Sequence, residues 1–380
     1  MKRHLLAIVC VLVCGLSLGA VAEDEADAPE GKLVEMSGPV EVMPLDSEEW
    51  KPAEAGMALQ AGDTVRTGKK GRAFITLGED VELRLGSETS VEIQLEENTD
   101  TRRRSVGLLL GVLFTKVVTA EGEEKPFEVH TSNAVAGVRG TEFTTAVALD
   151  GTVRASVQEG KVVLEAEEKQ VELTPGYFSE AEAEKAPIAA AKDPKADLET
   201  WLRERRARIL DRAPQVGALW MEQVGRMYKR FTTLNQRRIA LSKRVARLAQ
   251  KARTARHGGH ERALAKIRER MGGLIEQLVQ VRRSMRRLAV RIRAKTVMVQ
   301  RLSGLARDRG WPPEVLENFG EWNKKARELR WNNRKALKQL RAEMRREHRM
   351  IRKLQLRYRD LIKRKMRQIR EQLPKKVPRR

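Results

Sequence analysis

The spacing of apolar residues changes once along this chain, and that change limits the possible folds more than any other feature. Before residue 180 apolar residues recur at every second position, as in Val81-Glu82-Leu83-Arg84-Leu85. After Leu198 they recur at every third or fourth position. A spacing of two is typical of half-buried strands, and one of about 3.6 is typical of helices. The sequence therefore predicts an all-β part, sandwich-like or a short β-solenoid, followed by an all-α part.

Short strands separated by glycine- or proline-containing turns account for the first part. Val91-Glu92-Ile93-Gln94-Leu95 alternates strictly, and Asp150-Gly151 between two alternating segments is typical of a hairpin turn. Regular spacing of such strands predicts an all-β domain over residues 31–178. Residues 179–197 are rich in Ala, Glu, Lys and Pro and are predicted to be a linker.

Helix breakers divide the second part into three long segments. They are Pro214, His257-Gly258-Gly259-His260, Gly310-Trp311-Pro312-Pro313 and Pro374. The middle segment carries an apolar seam from Leu264 to Ile292 in steps of three and four. Because the connections are short, the sequence predicts a long antiparallel three-helix coiled coil over residues 198–373, followed by a basic tail, 374–380. Self-association through an extended helix is the alternative.

The first 22 residues have the layout of a secretory signal peptide. A basic start is followed by the apolar run Leu5 to Leu18 and by the small-residue cleavage site Ala20-Val21-Ala22. An acidic leader, residues 23–30, comes next. We therefore expect an exported protein of the periplasm, cell envelope or extracellular space.

Both cysteines, Cys10 and Cys14, lie within the predicted signal peptide. The mature chain would then contain no disulfide and no cysteine-based metal site. No later apolar run reaches the length of a membrane span, so we expect no transmembrane segment after signal cleavage.

Charge is divided unequally between the two parts, within a formal net charge of +23. Residues 23–180 contain 32 Asp/Glu and 16 Lys/Arg, whereas residues 181–380 contain 20 Asp/Glu and 57 Lys/Arg. Such asymmetry predicts either binding to a polyanion or attraction between the two parts. The candidate polyanion-binding residues are Arg282, Arg283, Arg286, Arg287, Arg345 and Arg346.

Several anionic partners fit this charge distribution. Export favours an anionic envelope polymer, lipid head groups, extracellular DNA or the acidic β part of the same chain. A solvated basic face with no partner is the alternative. The chain contains no known motif that recognises the base sequence of DNA, which argues against a nucleic-acid-binding function.

The richest short motif is the stretch from Val129 to Phe143. Alternating segments flank a turn in which Gly137 and Gly140 bracket Val138-Arg139, and glycine permits positive φ or close backbone approach there. Arg139 and Glu142 have opposite charges and are close in sequence, so we expect them to form a structural ion pair.

An ordered series of short motifs resembles the FecR domain, over about residues 33–178. The series is Leu59-x-x-Gly62-Asp63-x-Val65-x-Thr67-Gly68, Gly71-x-Ala73, Leu83-Arg84-Leu85-Gly86, Val129-x-Thr131, Ala134 to Phe143 including Gly137-Val138-Arg139-Gly140-Thr141-Glu142-Phe143, Glu159-Gly160-Lys161-Val162 and Leu173-x-x-Gly176. The resemblance marks Gly62, Asp63, Gly137, Arg139, Gly140, Thr141, Glu142 and Phe143 as structural signature residues.

The resemblance implies an all-β domain of the bacterial periplasm or cell envelope. In the best-understood relatives this domain belongs to a membrane-spanning regulator that senses an outer-membrane transporter and controls a sigma factor. This sequence departs from that pattern, because a cleavable signal stands in place of a cytoplasmic anti-sigma segment and an internal membrane helix. No enzymatic residue comes with the resemblance.

The residues themselves indicate no catalytic or metal site. Gly-x-Ser-x-Gly, His-Glu-x-x-His and phosphate-loop motifs are absent from the sequence. His257 and His260 flank a Gly-Gly turn and are interpreted as a hairpin loop, and Trp311 as a packed residue at a helix stop. We expect no enzyme activity, no cofactor and no metal.

These observations favour a non-enzymatic FecR-domain protein that acts as a cell-envelope scaffold or sensor-like binding module. Its basic helices would serve as a spacer or as an electrostatic anchor, and its partner would be a protein or an anionic envelope polymer. Two alternatives stay open. One is a structural coiled-coil protein that oligomerises through its helices, and the other is a cell-surface signalling regulator of a sigma factor or transporter system.

Overall fold

In the computed structural model, the described residues are 30–94, 104–118, 127–183, 185–192, 198–332, 334–339 and 342–343. The predicted signal peptide, most of the acidic leader, the basic tail, Arg345 and Arg346 lie outside these ranges. Residues 30–336 belong to one compact unit, and residues 337–343 belong to a second. Of the second unit, the described residues are helical.

The first part of the chain is built from short strands, as the alternation predicts. They are β1 (Gly31–Ser37), β2 (Val40–Met43), β3 (Lys51–Pro52), β4 (Ala58–Leu59), β5 (Thr64–Thr67), β6 (Arg72–Leu77), β7 (Val81–Leu85), β8 (Ser90–Ile93), β9 (Arg104–Val117), β10 (Phe127–His130), β11 (Val135–Val138), β12 (Glu142–Val147), β13 (Val153–Glu159), β14 (Val162–Ala166), β15 (Lys169–Leu173), β16 (Tyr177–Ala181) and β17 (Ala191–Lys192). The last two place parts of the predicted linker in the sheet.

The long strand β9 joins two sheets. Residues Arg104 to Leu110 pair with β8 and, in parallel, with β10, whereas Gly111 to Val117 pair with β7 and β12. The strand changes sheets at Gly111, whose φ is +95°. A Cβ there would lie 2.5 Å from the Cα of Thr89, so only glycine fits without a shift. Glycine at this position therefore permits β9 to pass from one sheet to the other.

In both sheets neighbouring strands are antiparallel, except for the parallel β9–β10 pair. On one side the order is β4-β1-β6-β7-β9-β12-β13-β16-β17, and on the other it is β3-β2-β5-β8-β9-β10-β11-β14-β15. Their apolar faces share one core, which includes the fully buried Leu33, Ile75, Leu83, Leu113 and Phe143. Period-two alternation sends these side chains to one side of each strand.

Helices follow the strands within the same compact unit. They are α1 (Leu198–Leu210), α2 (Ala213–His257), α3 (Glu261–Asp308) and α4, which covers residues 313–332. Residues 334–339 are also helical. The predicted three-helix coiled coil is not confirmed, since the described region contains four helices. Among the described residues, none of the helices combines the length and the apolar composition needed to cross a bilayer.

Helix boundaries follow the breakers in the sequence. Pro214 is the second residue of α2, where its missing N–H costs no helical hydrogen bond. The turn between α2 and α3 is Gly258-Gly259-His260, with Gly259 at φ +69°. α3 ends before Trp311, which is half-buried and packs against the core, as predicted.

Helix α3 is buried on two sides. Residues of the predicted seam, such as Leu278, Met285 and Ile292, are buried in the α2–α3 pair. On the opposite side, Val290 and Met298 are fully buried and approach the β domain. A helix that is apolar on opposite faces lies between two layers. α3 therefore connects the helices to the β domain.

Candidate functional site

A buried ion pair links β8 to α3. The carboxylate of Glu92 and the guanidinium of Arg293 form this pair, and each side chain is only 3% exposed. Burial raises the pKa of Glu92 and lowers the pKa of Arg293, while their mutual attraction acts in the opposite sense. Removing two charges from water is costly, so the pair fixes position more than it adds stability.

A second arginine, Arg334, extends this cluster. It donates hydrogen bonds to the carbonyl oxygens of Pro44 (2.8 Å) and Ser47 (2.6 Å) and to the hydroxyl of Thr64 (3.2 Å). Burial, together with the nearby charge of Arg293, lowers the pKa of Arg334 to about 10. The β2–β3 loop is thereby tied to the helical residues that follow α4.

Arginines of α1 bind carboxylates at one edge of the sheet. Arg205 lies 2.8 Å from Glu180, 3.3 Å from Asp150 and 3.3 Å from Glu182. Burial alone would lower the pKa of Arg205, but the carboxylates of Asp150 and Glu180 hold it above its usual value. Three acceptors around one guanidinium form a charge-assisted network that positions α1.

Further ion pairs surround the buried cluster. Glu88, in the turn between β7 and β8, pairs with Arg301 of α3 and lies 3.7 Å from Arg206 of α1. Glu165 lies 3.4 Å from Arg287. These side chains are about a third to a half exposed, and pairs of this kind each contribute little to stability.

A groove of about 320 Å³ lies where α2 and α3 meet the β10–β11 and β14–β15 turns. Arg291 closes one side, donating to the carbonyl of Ser132 (3.0 Å) and pairing with Glu167 (3.3 Å). His130, buried beside it, has its Nε2 2.7 Å from Glu128. The lining carries both signs of charge and few apolar groups, which suits a peptide segment better than an apolar ligand.

Comparison with known families identifies the β domain. The family model described as FecR protein matches residues 63–163. The chain contains a FecR domain. No curated protein has a sequence that matches this chain. The matched residues run from the turn before β5 to the second residue of β14, so the FecR match contains Glu92 and Glu88.

Two solved structures are similar to part of this chain. Both are crystal structures of a protein from Parabacteroides distasonis ATCC 8503 that is described as a candidate anti-sigma factor. One is 25% identical to this chain, and the match covers 37% of this chain and 63% of that protein. The other is 24% identical, and the match covers 37% of this chain and 64% of that protein. This chain thus spans less than two thirds of their length. The TM-score of 0.31 for both is too low to bear on fold or function.

Gly62 and Asp63, two of the FecR signature residues, lie in the turn before β5. Gly62 has φ +94°, and a Cβ there would lie 2.7 Å from Leu45. The carboxylate of Asp63 accepts hydrogen bonds from the backbone N–H groups of Gln60 (2.8 Å) and Leu45 (3.1 Å). Both residues thus shape the turn before β5. This placement gives both residues a structural environment.

The turn that contains Gly140 packs against the turn that contains Gly160. Gly140 has φ +54°, and a Cβ on Gly160 would lie 2.5 Å from the carbonyl oxygen of Gly140, so the two turns touch. Thr141 Oγ1 lies 3.0 Å from the carbonyl of Arg139 and 3.1 Å from that of Lys161. The contact between these turns explains why both motifs contain glycine.

Two details differ from the expectations for this turn. Gly137 lies inside β11 with an ordinary φ and not in the turn. Glu142 forms its ion pair with Lys116 on the neighbouring strand β9, and hydrogen bonding to Glu142 is the main cause that raises the pKa of Lys116. Lys116 lies directly opposite Glu142 in the pairing of β9 with β12, and side chains of such cross-strand neighbours are close enough to form an ion pair. Phe143 is fully buried.

The candidate polyanion-binding arginines on α3 occupy different environments. Arg282 is buried, and Arg283 and Arg286 are half-buried. Burial lowers the pKa of Arg286 to about 10, and Arg287 contacts Glu165 of the β domain. Much of this cluster therefore faces protein.

Sequence reasoning did not identify the buried cluster. Residues 288–299 read Leu-Ala-Val-Arg-Ile-Arg-Ala-Lys-Thr-Val-Met-Val, which is apolar on more than one side. A search for a second apolar face in α3 would have indicated that Arg293 and Lys295 lie at an interface. Glu92 gave no such signal, because a charged residue between Val91 and Ile93 is ordinary for a half-buried strand. Within the described ranges, no cluster of three His, Cys, Asp or Glu side chains could hold a metal ion.

Proposed function

We propose that this chain is a non-enzymatic signalling regulator of the cell surface whose FecR domain binds a protein partner. The observation that carries the proposal is the FecR match over residues 63–163. The best-understood proteins with this domain are regulators, and signature residues such as Gly62, Asp63 and Phe143 contribute here to a turn and to the core. The predicted signal peptide supports export to the periplasm or cell envelope.

The helices give this regulator an output surface. α3 contacts the FecR domain through β9 and the Glu92–Arg293 pair, so a partner that moves β8 or β9 would also move α3. Coupling of this kind needs two arrangements of one packed element, biased by the partner. The buried pair is the connection through which we expect the partner to act.

A gene-expression experiment in the source organism tests the proposal. Deletion of the gene is expected to change the transcripts of a restricted set of genes, and the wild-type chain should restore them. Arg293→Asp, which places two carboxylates together, should resemble the deletion, whereas Arg270→Asp at an exposed position of α3 should resemble wild type. An unchanged transcript profile in the deletion strain would refute a regulatory function.

A scaffold with an electrostatic anchor is the second candidate function. It is favoured by the unequal charge, since residues 231–283 alone contain 14 Lys/Arg and 3 Asp/Glu. In the deletion strain this candidate predicts altered envelope integrity with no specific transcript change. Oligomerisation through the helices stays a prediction, and sedimentation at several concentrations checks it.

A further inference from the structure

A row of basic residues runs along one face of α2. Arg230, Arg237, Arg244 and Lys251 follow one another at intervals of seven residues, and all four are exposed. Seven residues are close to two helical turns, so these side chains share a face at about 10.5 Å spacing and span about 31 Å. Lys243 and Arg247, also exposed, widen the row.

These six cations differ from the arginines of α1 and α3. Arg205, Arg287, Arg291, Arg293 and Arg301 each bind a carboxylate of the β domain. Within the described ranges, none of the six α2 cations has an ion pair or hydrogen bond to its side chain. Like charges on adjacent turns repel one another, so an external anionic surface would lower their energy.

The shape of the row favours a flat partner. Residues at intervals of seven drift by only about 20° per step around a straight helix, so a planar surface can contact Arg230, Arg237, Arg244 and Lys251 together. The aromatic residue within this stretch of α2, Phe231, is only 2% exposed and offers no platform for stacking nucleic-acid bases. We propose that this face of α2, the α2 basic row (Arg230, Arg237, Lys243, Arg244, Arg247 and Lys251), binds the phosphate head groups of an anionic membrane surface.

This assignment differs from the one that the sequence suggested. The candidate residues Arg282, Arg283, Arg286 and Arg287 lie on α3, and much of that cluster is turned toward protein. The α2 basic row, by contrast, is exposed. The assignment is independent of the proposed signalling function, because the FecR domain takes no part in it.

Vesicle co-sedimentation with the full chain tests this proposal. Vesicles of equal parts phosphatidylglycerol and phosphatidylcholine are expected to bind the protein at about 0.1 M salt and to release it at about 1 M, where charges are screened within about 3 Å. The row variant is Arg237→Gln/Arg244→Gln/Lys251→Gln. Because each basic residue near an anionic surface contributes roughly fivefold to binding, this variant should bind on the order of a hundredfold more weakly.

A matched variant controls for net charge. Lys32→Gln/Lys51→Gln/Lys69→Gln removes the same charge from exposed positions of the β domain and should bind like wild type. Circular dichroism melting establishes that both variants are folded. Equal weakening by both variants, or equal binding to pure phosphatidylcholine, would overturn the assignment. So would binding of duplex DNA with the same dependence on the row when the vesicles do not bind.

Discussion

The Arg293 side chain shows how a single charge can determine where a helix is placed. It is almost fully buried, and its counter-charge comes from Glu92, about two hundred positions earlier in the sequence. Within the described part of the chain its Nε and Nη1 groups have no hydrogen-bond partner. At a buried site of this kind, replacing both charged side chains by apolar ones destabilises a protein less than removing one charge and leaving the other unpaired.

Removal of Arg293 alone is therefore expected to destabilise the protein. Arg293→Met leaves Glu92 buried without its partner and should lower the free energy of unfolding at pH 7 by about 3–5 kcal/mol. The double variant Glu92→Leu/Arg293→Met should recover most of this loss. Urea denaturation measures all three proteins, and Arg270→Met, at an exposed position of the same helix, should stay within about 0.5 kcal/mol of wild type.

The loss in Arg293→Met should also depend on pH. Burial raises the pKa of Glu92 in the folded state, and removal of Arg293 raises it further. With a raised pKa, the folded state binds the proton of Glu92 more tightly than the unfolded state does. Protonation of Glu92 therefore stabilises the folded state at low pH, and this stabilisation is lost as pH rises above the ordinary pKa of 4.5. The destabilisation should therefore shrink as pH falls from 7 toward 4.5. A constant loss over that range would contradict an uncompensated Glu92.

The contact between α2 and α4 depends on the absence of a side chain. Gly217 lies in α2, and a Cβ there would come within 2.6 Å of the Trp322 ring and 3.1 Å of the Phe319 ring. Those two rings pack edge to face, with centroids 5.0 Å apart. A glycine within a helix is normally unfavourable, so close packing is the reason for its presence here.

Two alanine substitutions in the same helix should have opposite effects. Gly217→Ala must displace the rings and should destabilise the protein by about 1–3 kcal/mol. Gly225→Ala meets open space and should stabilise it by about 0.5–1 kcal/mol through better helix propensity. Thermal unfolding followed by far-UV circular dichroism compares the two. Greater stability of Gly217→Ala than of Gly225→Ala would show that the rings do not need this space.

The elements themselves were largely predictable from sequence. Period-two alternation located the strands, and Pro214, Gly258-Gly259 and Pro312 located the helix ends, because these signals are local. The crossing of β9 between sheets was not predictable, since it depends on the φ of Gly111 and its distance from Thr89. The second buried face of α3 was missed because a heptad search follows a single seam.

At the scale of the whole molecule, the charge asymmetry has two consequences. Part of it is satisfied internally, because arginines of α1 and α3 bind carboxylates of the β domain, as one reading of the sequence anticipated. Another part is exposed, as in the basic row of α2. Composition could not separate these outcomes, since both require the same arginine-rich sequence and differ only in which helix faces the sheet.

The contact between the β domain and the helices should withstand salt. Val290, Ala294 and Met298 of α3 belong to the same apolar core as the strands, and the Glu92–Arg293 pair is buried. Screening at about 1 M salt weakens exposed ion pairs such as Glu165–Arg287 but not apolar burial. The helices are therefore held mainly by packing.

A cleavable chain tests this conclusion. With a protease recognition sequence inserted between Lys192 and Leu198, the two fragments should co-elute in size-exclusion chromatography after cleavage, at both about 0.1 M and about 1 M salt. Val290→Asp places a carboxylate against Gly107 in β9 and should allow the two fragments to separate. Val279→Asp, at a half-buried position of α3 about three turns before that contact, should not. Separation of the wild-type fragments at high salt alone would mean that the exposed ion pairs, and not the apolar core, hold the helices on the FecR domain.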